Sequence, residues 1–143
     1  VDIARLAQQL AAHEGEHTLC DEAAIARLVA SDWQPQCELL VALDGDAVVG
    51  FVMGYCGYDL SSDSYGFHLC DIAVDDACRR QGVGQQLMQH VIDEVLKHGG
   101  EWISLTVLKS NQAAADFYKS LHFQCVDVRF MAAGKNAMTL MVG

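Results

Sequence analysis

The chain has 143 residues, 52% of them hydrophobic and 20% charged, with a single proline and a formal net charge of −10. This length and composition predict one globular domain over residues 1–143 and exclude an intrinsically disordered or collagen-like protein. The acidic balance argues against nucleic acid as a partner, because nucleic-acid-binding proteins need a basic surface. It suits a cationic ligand, although many cytosolic proteins are acidic without one.

Signals for a membrane, for secretion and for a metal site are weak. The longest apolar stretch, Ala47 to Tyr55, is too short to span a bilayer. No basic segment followed by an apolar run opens the chain, so we expect a cytoplasmic protein with no membrane partner. Its six scattered cysteines are then free thiols. We predict no metal site, since His13 and His17 have Gly15 between them and no further ligand follows.

The first half of the chain predicts two helices and then three strands. Apolar residues recur at helical spacing between Asp2 and Gly15, and again from Asp21 to about Asp32. Strands Glu38–Leu43 and Ala47–Cys56 flank Asp44-Gly45, a hairpin signal. A polar loop over Tyr58–Tyr65 then leads to a strand at Phe67–Asp75.

The second half begins with the clearest helix, in which apolar residues recur every three or four positions from Val83 to Leu96. Trp102–Leu108 is rich in β-branched residues and predicts a strand, and Asn111 caps a short helix. Strands at Phe123–Met131 and Ala137–Val142 are predicted to close the chain. The order α-α-β-β-β-α-β-α-β-β indicates an α/β (α+β) fold with a central mixed sheet flanked by helices.

A phosphate-binding signal stands before the long helix, in the segment Arg79-Arg80-Gln81-Gly82-Val83-Gly84-Gln85. The first N–H groups of a helix lack intrahelical partners and carry partial positive charge. Glycines let phosphate oxygens approach that backbone, and arginines add charge-assisted hydrogen bonds. A Walker A loop is excluded, because Gln85-Gln86 stand where that loop needs lysine and then serine or threonine. A dinucleotide fingerprint is excluded, because Leu87 stands where that motif needs its third glycine. A flexible helix start with two solvated arginines is the alternative.

Three motifs in order resemble the GNAT superfamily of N-acetyltransferases. Arg79-x-x-Gly82-x-Gly84 is similar to that family's pyrophosphate-binding signature. Asp71-Ile72-Ala73-Val74-Asp75 looks like the strand before it, and the block from Asn111 to Phe123 looks like the family's second block. The resemblance covers roughly Val41 to Val142. It implies a mostly antiparallel mixed sheet, with acetyl-CoA as co-substrate and no metal.

Two positions depart from the family pattern. The family usually opens with a β-strand, which here lies upstream of residue 1 or is replaced by something else. The second block usually has a glycine where this chain has His122. We expect a positive φ at His122, which histidine tolerates better than a β-branched residue.

The resemblance also implies which residues hold acetyl-CoA. Backbone N–H groups of the strand that splays from its neighbour hold the pantetheine arm and polarise the thioester. The helix start binds the pyrophosphate, and the Asn111 block contacts the arm. The expected cofactor-binding residues are Ile72, Ala73, Val74, Arg79, Arg80, Gln81, Gly82, Val83, Gly84, Gln85, Asn111, Ala114 and Phe117.

For catalysis, the resemblance assigns the general acid to Tyr118; the alternative is a core aromatic beside Phe117. Three candidates remain for the general base, namely His68, Asp71 and a water relay. A histidine with an ordinary pKa near ~6.5 is the better-matched base, whereas an aspartate could bind the substrate ammonium. Strand alternation puts His68 and Asp71 on opposite faces unless a bulge changes the parity.

The expected reaction is direct attack of a primary amine on acetyl-CoA in a ternary complex. The acidic charge and the Asp71 run favour a cationic small molecule such as a polyamine. A protein or peptide amine is the alternative acceptor. A non-catalytic CoA-binding module and a partner-binding protein without CoA are the alternative functions. Dimers are common in the family, so a homodimer stays open.

Overall fold

The computed structural model describes residues 2–15, 20–31, 37–129 and 131. Its contacts divide the chain into two compact units, Val1–Leu108 and Lys109–Gly143, and each is described by itself. Whether both form one domain stays a prediction. In chain order, the described helices and strands are α1 (Asp2–Glu14), α2 (Glu22–Ala30), β1 (Glu38–Asp44), β2 (Ala47–Asp59), β3 (Ser64–Val74), α3 (Val83–Lys97), β4 (Trp102–Leu105) and α4 (Gln112–Ser120).

The sheet of the first unit has the strand order β1-β2-β3-β4. The first three strands are antiparallel neighbours, and β4 runs parallel to β3. Parallel neighbours need a long crossover, which α3 provides between β3 and β4. The predicted α/β class with a mixed, mostly antiparallel sheet is confirmed, as is the predicted order of the first eight elements.

Helices α1 and α3 cover opposite faces of this sheet. Leu6 of α1 is fully buried against Phe51 and Ala73, which are opposite partners on β2 and β3. We call this side of the sheet the α1 face. A Cβ at Gly50, the next residue of β2, would lie 3.0 Å from the side chain of Leu87 in α3. Because neighbours on a strand point to opposite faces, α3 lies on the other side.

Three polar contacts join α1 to the turn that follows β3. The Arg5 guanidinium donates to the Asp75 carboxylate at 2.6 Å. The ring of His13 lies 2.9 Å from a carboxylate oxygen of Asp76. The Asp76 N–H donates to the amide oxygen of Gln9 at 3.2 Å. The turn is therefore attached to α1 along much of the helix.

The β2–β3 hairpin corrects the predicted loop over Tyr58–Tyr65. β2 continues to Asp59 and β3 begins at Ser64, so only residues 60–63 lie outside the strands. The Tyr58 and Tyr65 rings pair across the strands, with centroids 4.9 Å apart. Aromatic pairs across a ladder stabilise a hairpin, which explains why polar composition alone misplaced the loop.

The predicted strand Phe123–Met131 is wrong for the residues described. Residues 123–129 form no strand, and Val126 and Val128 are 69% and 74% exposed. A β-branched sequence needs a pairing partner and a buried face to become a strand, and this segment has neither among the described residues. The predicted strand Ala137–Val142 lies outside them. No described helix is long and apolar enough to cross a membrane.

Trp102 of β4 packs across two glycines of neighbouring strands. A Cβ at Gly66, its partner on β3, would overlap the indole and the Trp102 carbonyl oxygen. A Cβ at Gly57 on β2 would lie 3.1 Å from Trp102 Cη2. The indole therefore leaves no room for a Cβ atom at Gly66, whereas a Cβ atom at Gly57 would require only a small shift of the ring.

We expect Gly66→Ala to destabilise the fold more than Gly57→Ala. Overpacking typically lowers the free energy of unfolding by about 1–3 kcal/mol, and Gly66→Ala should fall at or above the upper end. Urea denaturation of both variants and the unsubstituted protein measures this. Equal stability of all three proteins would contradict the packing described.

Candidate functional site

Strand β3 contains one residue more than its neighbour β2 across the middle of their ladder. Met53 pairs with Asp71, whereas the next residue, Gly54, pairs with Leu69. Cys70 is therefore the extra residue of a β-bulge. A bulge changes the alternation of side chains along its strand.

The bulge brings His68 and Asp71 to the same face of the sheet. His68 is opposite Tyr55, and Asp71 is opposite Met53. Tyr55 and Met53 are two residues apart on β2, so both point to one side, and their partners point there too. Regular alternation would have put the two candidate bases, His68 and Asp71, on opposite faces. The bulge changes the parity and puts them on the same face. This side is the α1 face, because Phe51 also belongs to it.

The sheet opens where the bulge lies. The β3–β4 ladder runs from Gly66 paired with Trp102 to Leu69 paired with Leu105 and ends there, although β3 continues to Val74. Beyond the bulge, β3 pairs with β2 alone among the described strands.

The direction of the freed backbone groups follows from one hydrogen bond. The Asp75 N–H donates to the Val49 carbonyl at 2.8 Å, toward β2. Alternation then turns Ala73 toward β2 as well, and turns Ile72 and Val74 toward the side that β4 has left. Of the three backbone donors predicted here, Ile72 and Val74 have the required direction.

Two side chains fix the imidazole of His68. Its Nδ1 lies 2.8 Å from the hydroxyl oxygen of Ser104, its ladder partner on β4. Its ring centroid is 5.0 Å from that of Tyr55. Neither neighbour was predicted from the sequence to belong to the site. The alternation of polar and apolar residues from Ile103 to Val107 was the available signal for Ser104.

Asp71 is an exposed residue whose carboxyl is partly desolvated, with no cationic partner in the described part of the chain. It keeps accessible surface, yet partial burial of the carboxyl raises its pKa above the ordinary aspartate value. No ion pair is recorded for it among the described residues. Burial also raises the pKa of the Cys20 and Cys70 thiols, with smaller contributions from Asp21 and then Asp71 at Cys20, and from Asp71 and then Cys37 at Cys70.

The start of α3 has no side-chain cap. Gly82 is its N-cap residue, with φ 80° and no capping hydrogen bond. By contrast, Asp21 and Asn111 each accept a backbone N–H at the starts of α2 and α4. The first α-helical bond of α3 runs from the Gln86 N–H to the Gly82 carbonyl, so the N–H groups before Gln86 lack intrahelical partners.

Two arginines precede this helix start. The Arg79 Nε donates to the Asp76 carboxylate at 3.0 Å, and both side chains are about half exposed. Arg80 has a positive φ of 62° and no ion pair among the described residues. The predicted segment from Arg79 to Gln85 therefore combines free backbone donors with two cationic side chains.

The remaining predicted residues belong to the second unit. The Asn111 side chain accepts the Ala114 N–H at 3.1 Å, so Asn111 caps α4 as predicted. Tyr118 is 7% exposed, and its ring lies 5.3 Å from Phe117 and 5.6 Å from Phe123. The φ of His122 is 69°, as expected for a position usually held by glycine.

A cavity of about 510 Å³ lies elsewhere, between α3 and the sheet, with Val52, Phe67, Val91 and Glu94 among its lining residues. Neither His68 nor any residue from Arg79 to Gln85 lines this cavity. We do not assign the predicted chemistry to it. No cluster of three metal-binding side chains occurs among the described residues.

The chain resembles known proteins both in sequence and in fold. A model of the "Acetyltransferase (GNAT) family" matches residues 6–123. The [ribosomal protein bS18]-alanine N-acetyltransferase of Escherichia coli K12 is 44% identical over 61 residues, which are 43% of this chain and 41% of that protein. The N-alpha-acetyltransferase daf-31 of Caenorhabditis elegans is 29% identical over 115 residues, 78% of this chain and 62% of that protein.

A thialysine N-epsilon-acetyltransferase of Bos taurus is 30% identical over 100 residues, 70% of this chain and 54% of that protein. The chain thus matches between two fifths and about three fifths of these relatives. Among solved structures, an integron cassette protein from the mobile metagenome of V. cholerae superposes with a TM-score of 0.81 at 20% identity, covering 99% of this chain and 91% of that one. This likeness concerns the fold.

Ionisation of Asp71 and ionisation of Asp75 should change the stability of the fold in opposite directions. A raised pKa means that the folded state binds the Asp71 proton more tightly, so stability falls as pH rises from the unfolded to the folded pKa. The Ala77 N–H and the Arg5 guanidinium lower the pKa of Asp75, so its ionised form stabilises the fold above the unfolded pKa.

We therefore expect Asp71→Asn to raise, and Asp75→Asn to lower, the free energy of unfolding at about pH 7, with both differences reduced near about pH 3. Urea denaturation at both pH values measures this. Changes of the same sign at neutral pH would contradict the electrostatics described.

Proposed function

Because the chain belongs to the acetyltransferase (GNAT) family, we propose that it transfers acetyl from acetyl-CoA to a primary amine. One structural observation carries the proposal: β3 loses its neighbour β4 beyond Leu69, and an uncapped helix start follows the end of the same strand. These features supply backbone donors for a thioester and for a pyrophosphate.

Acetyl-CoA is the substrate that suits these groups. The N–H groups at the start of α3 and the guanidinium of Arg80 bind pyrophosphate oxygens. Arg79 joins them by exchanging its partner Asp76 for phosphate; an exposed ion pair of this kind contributes only about 0–1 kcal/mol. The N–H groups of Ile72 and Val74 receive the amide and carbonyl oxygens of the pantetheine thioester. Bound acetyl-CoA supplies the acyl group.

The amine side of the reaction is assigned to the α1 face. Asp71 binds the incoming ammonium, since a partly desolvated carboxylate with no cation among the described residues gains most from one. His68 accepts a proton from that ammonium, which frees the nitrogen lone pair for attack. The new C–N bond forms as the C–S bond breaks, and Tyr118 gives a proton to the departing thiolate. The second proton of the former ammonium leaves the nitrogen as the amide forms and passes through water to the Tyr118 phenolate, so both groups are restored. A water relay to His68 is the alternative path.

The acceptor is an amine of one of two classes. A cationic small molecule, such as a polyamine, suits Asp71 and the net charge of −10. A protein N-terminus is the second candidate, supported by the alanine N-acetyltransferase and N-alpha-acetyltransferase relatives. Release of free thiol from acetyl-CoA, measured with polyamines, free lysine analogues and alanine-terminated peptides, separates the two.

The same assay distinguishes an enzyme from a non-catalytic module. A module would bind acetyl-CoA and raise its melting temperature without releasing thiol with any amine. A chain that showed neither thermal stabilisation nor thiol release would favour a partner-binding protein, and the proposal would be wrong.

Gly84→Asp should weaken acetyl-CoA binding by roughly ten- to a hundredfold or more, because it places a negative charge among the phosphate donors. Hydrogen bonds to a charged group contribute about 1.5–3 kcal/mol each. Isothermal titration calorimetry measures the Kd. Gln89→Glu, which adds the same charge further along α3, is the control. Equal affinity for the two folded variants would refute this binding site.

Tyr118→Phe should lower kcat by roughly a hundred- to ten-thousandfold, the usual range for a general acid, with little change in folding or acetyl-CoA affinity. The loss should shrink for aryl thioesters, whose thiolates leave without protonation. Steady-state kinetics with both donors tests this, and Tyr58→Phe at the hairpin is the matched control. A wild-type rate, with chemistry limiting, would make Tyr118 a packing residue only.

A further inference from the structure

The contact between His68 and Ser104 links neighbouring strands at the last part of their ladder. The two residues are direct partners on β3 and β4, one step before the pairing ends at Leu69 and Leu105. Their side chains are 2.8 Å apart, and Ser104 is exposed. An exposed hydroxyl has water as an alternative partner, so packing alone gives no reason for the serine.

The bond to Ser104 fits two arrangements, since a hydroxyl can accept from Nδ1–H or donate to an unprotonated Nδ1. When Nδ1–H donates to the serine oxygen, Nε2 is left with a lone pair. Once Nε2 takes up a proton, both ring nitrogens are donors, and the serine oxygen still accepts from Nδ1. A serine acceptor therefore fits the imidazole before and after it gains a proton, with no rearrangement between them.

The surroundings of the ring limit its orientation. The Tyr55 ring packs against it from β2. Asp71 is the titratable neighbour on the same strand and the same face, beyond the bulge. With the Nδ1 edge held by β4, the Nε2 edge is the one available to a substrate.

We propose that Ser104 is a positioning residue, which holds His68 as its Nδ1–H tautomer so that Nε2 accepts the proton of the acceptor ammonium. The inference rests on the proposed function. The proton moves from the amine nitrogen to Nε2 and from there to solvent after the amide has formed, so the imidazole is unchanged over the cycle. Ser104 itself neither gains nor loses a proton.

The tautomer can be measured without any substrate. Protonated and unprotonated ring nitrogens have well-separated ¹⁵N shifts, and His68→Gln identifies the His68 signals in histidine-labelled protein. At a pH well above ~6.5, where an ordinary imidazole is neutral, we expect Nδ1–H in the unsubstituted protein. Ser104→Ala should shift the population toward Nε2–H, the form that free imidazole side chains prefer, and Ser104→Thr should restore Nδ1–H.

The kinetic consequence is measured with the amine acceptor found above. Ser104→Ala should lower kcat about ten- to a hundredfold, since it removes a hydrogen bond to a group that becomes charged, while KM for acetyl-CoA stays unchanged. Ser104→Thr should retain most of the activity. Ser61→Ala, an exposed serine that bonds only Asp59 within the described structure, should match the wild type.

A double-mutant cycle tests whether Ser104 acts through His68. In a His68→Gln background, Ser104→Ala should cause no further loss, because its only target is gone. An undiminished loss in that background would overturn the inference, as would an Nε2–H tautomer in the unsubstituted protein or an unchanged tautomer in Ser104→Ala. If no amine is acetylated, the proposed function fails, and the ¹⁵N measurement alone still decides whether Ser104 sets the tautomer.

Discussion

The extra residue in β3 governs the arrangement around it. Before Cys70, β3 has neighbours on both sides; after it, β2 is the only strand it pairs with among those described. The same insertion reverses the parity of the strand, so that His68 and Asp71 point to one face and the N–H groups of Ile72 and Val74 point away from β2. One irregularity thus brings together, on the same stretch of chain, the side chains proposed to bind the amine and the backbone donors proposed to bind the thioester.

Much of this architecture could be predicted from the sequence, because it depends on local patterns. The periodicity of α3, the glycine at its start and the cap at Asn111 are properties of a few consecutive residues. The bulge depends on the register between two strands, which no single strand encodes, and the sequence could only leave the parity open. The pairing of Ser104 with His68 crosses 36 positions, and it needed the parallel register of β4 before it could be recognised.

The charges of the site are divided between its two ends. Arg79 and Arg80 stand before α3, whereas Asp71 stands beside the bulge without a cation among the described residues. Coulombic attraction would draw the phosphates of acetyl-CoA to Arg79 and Arg80, and the ammonium of the amine substrate to Asp71. The overall charge of −10 is therefore no obstacle to a polyanionic substrate, because local groups and the helix dipole determine the potential at the proposed phosphate site.

The contacts of α1 with Asp75 and Asp76 have a consequence for dynamics. Arg5, Gln9 and His13 hold the turn that leads directly into the segment from Arg79 to Gln85, the proposed phosphate site. Asp76 also holds Arg79. A phosphate that takes Arg79 from Asp76 leaves this carboxylate to His13, which strengthens the attachment of α1. Because linkage is reciprocal, a ligand at the start of α3 should slow amide hydrogen exchange along α1, and loosening α1 should weaken that ligand's affinity without touching it.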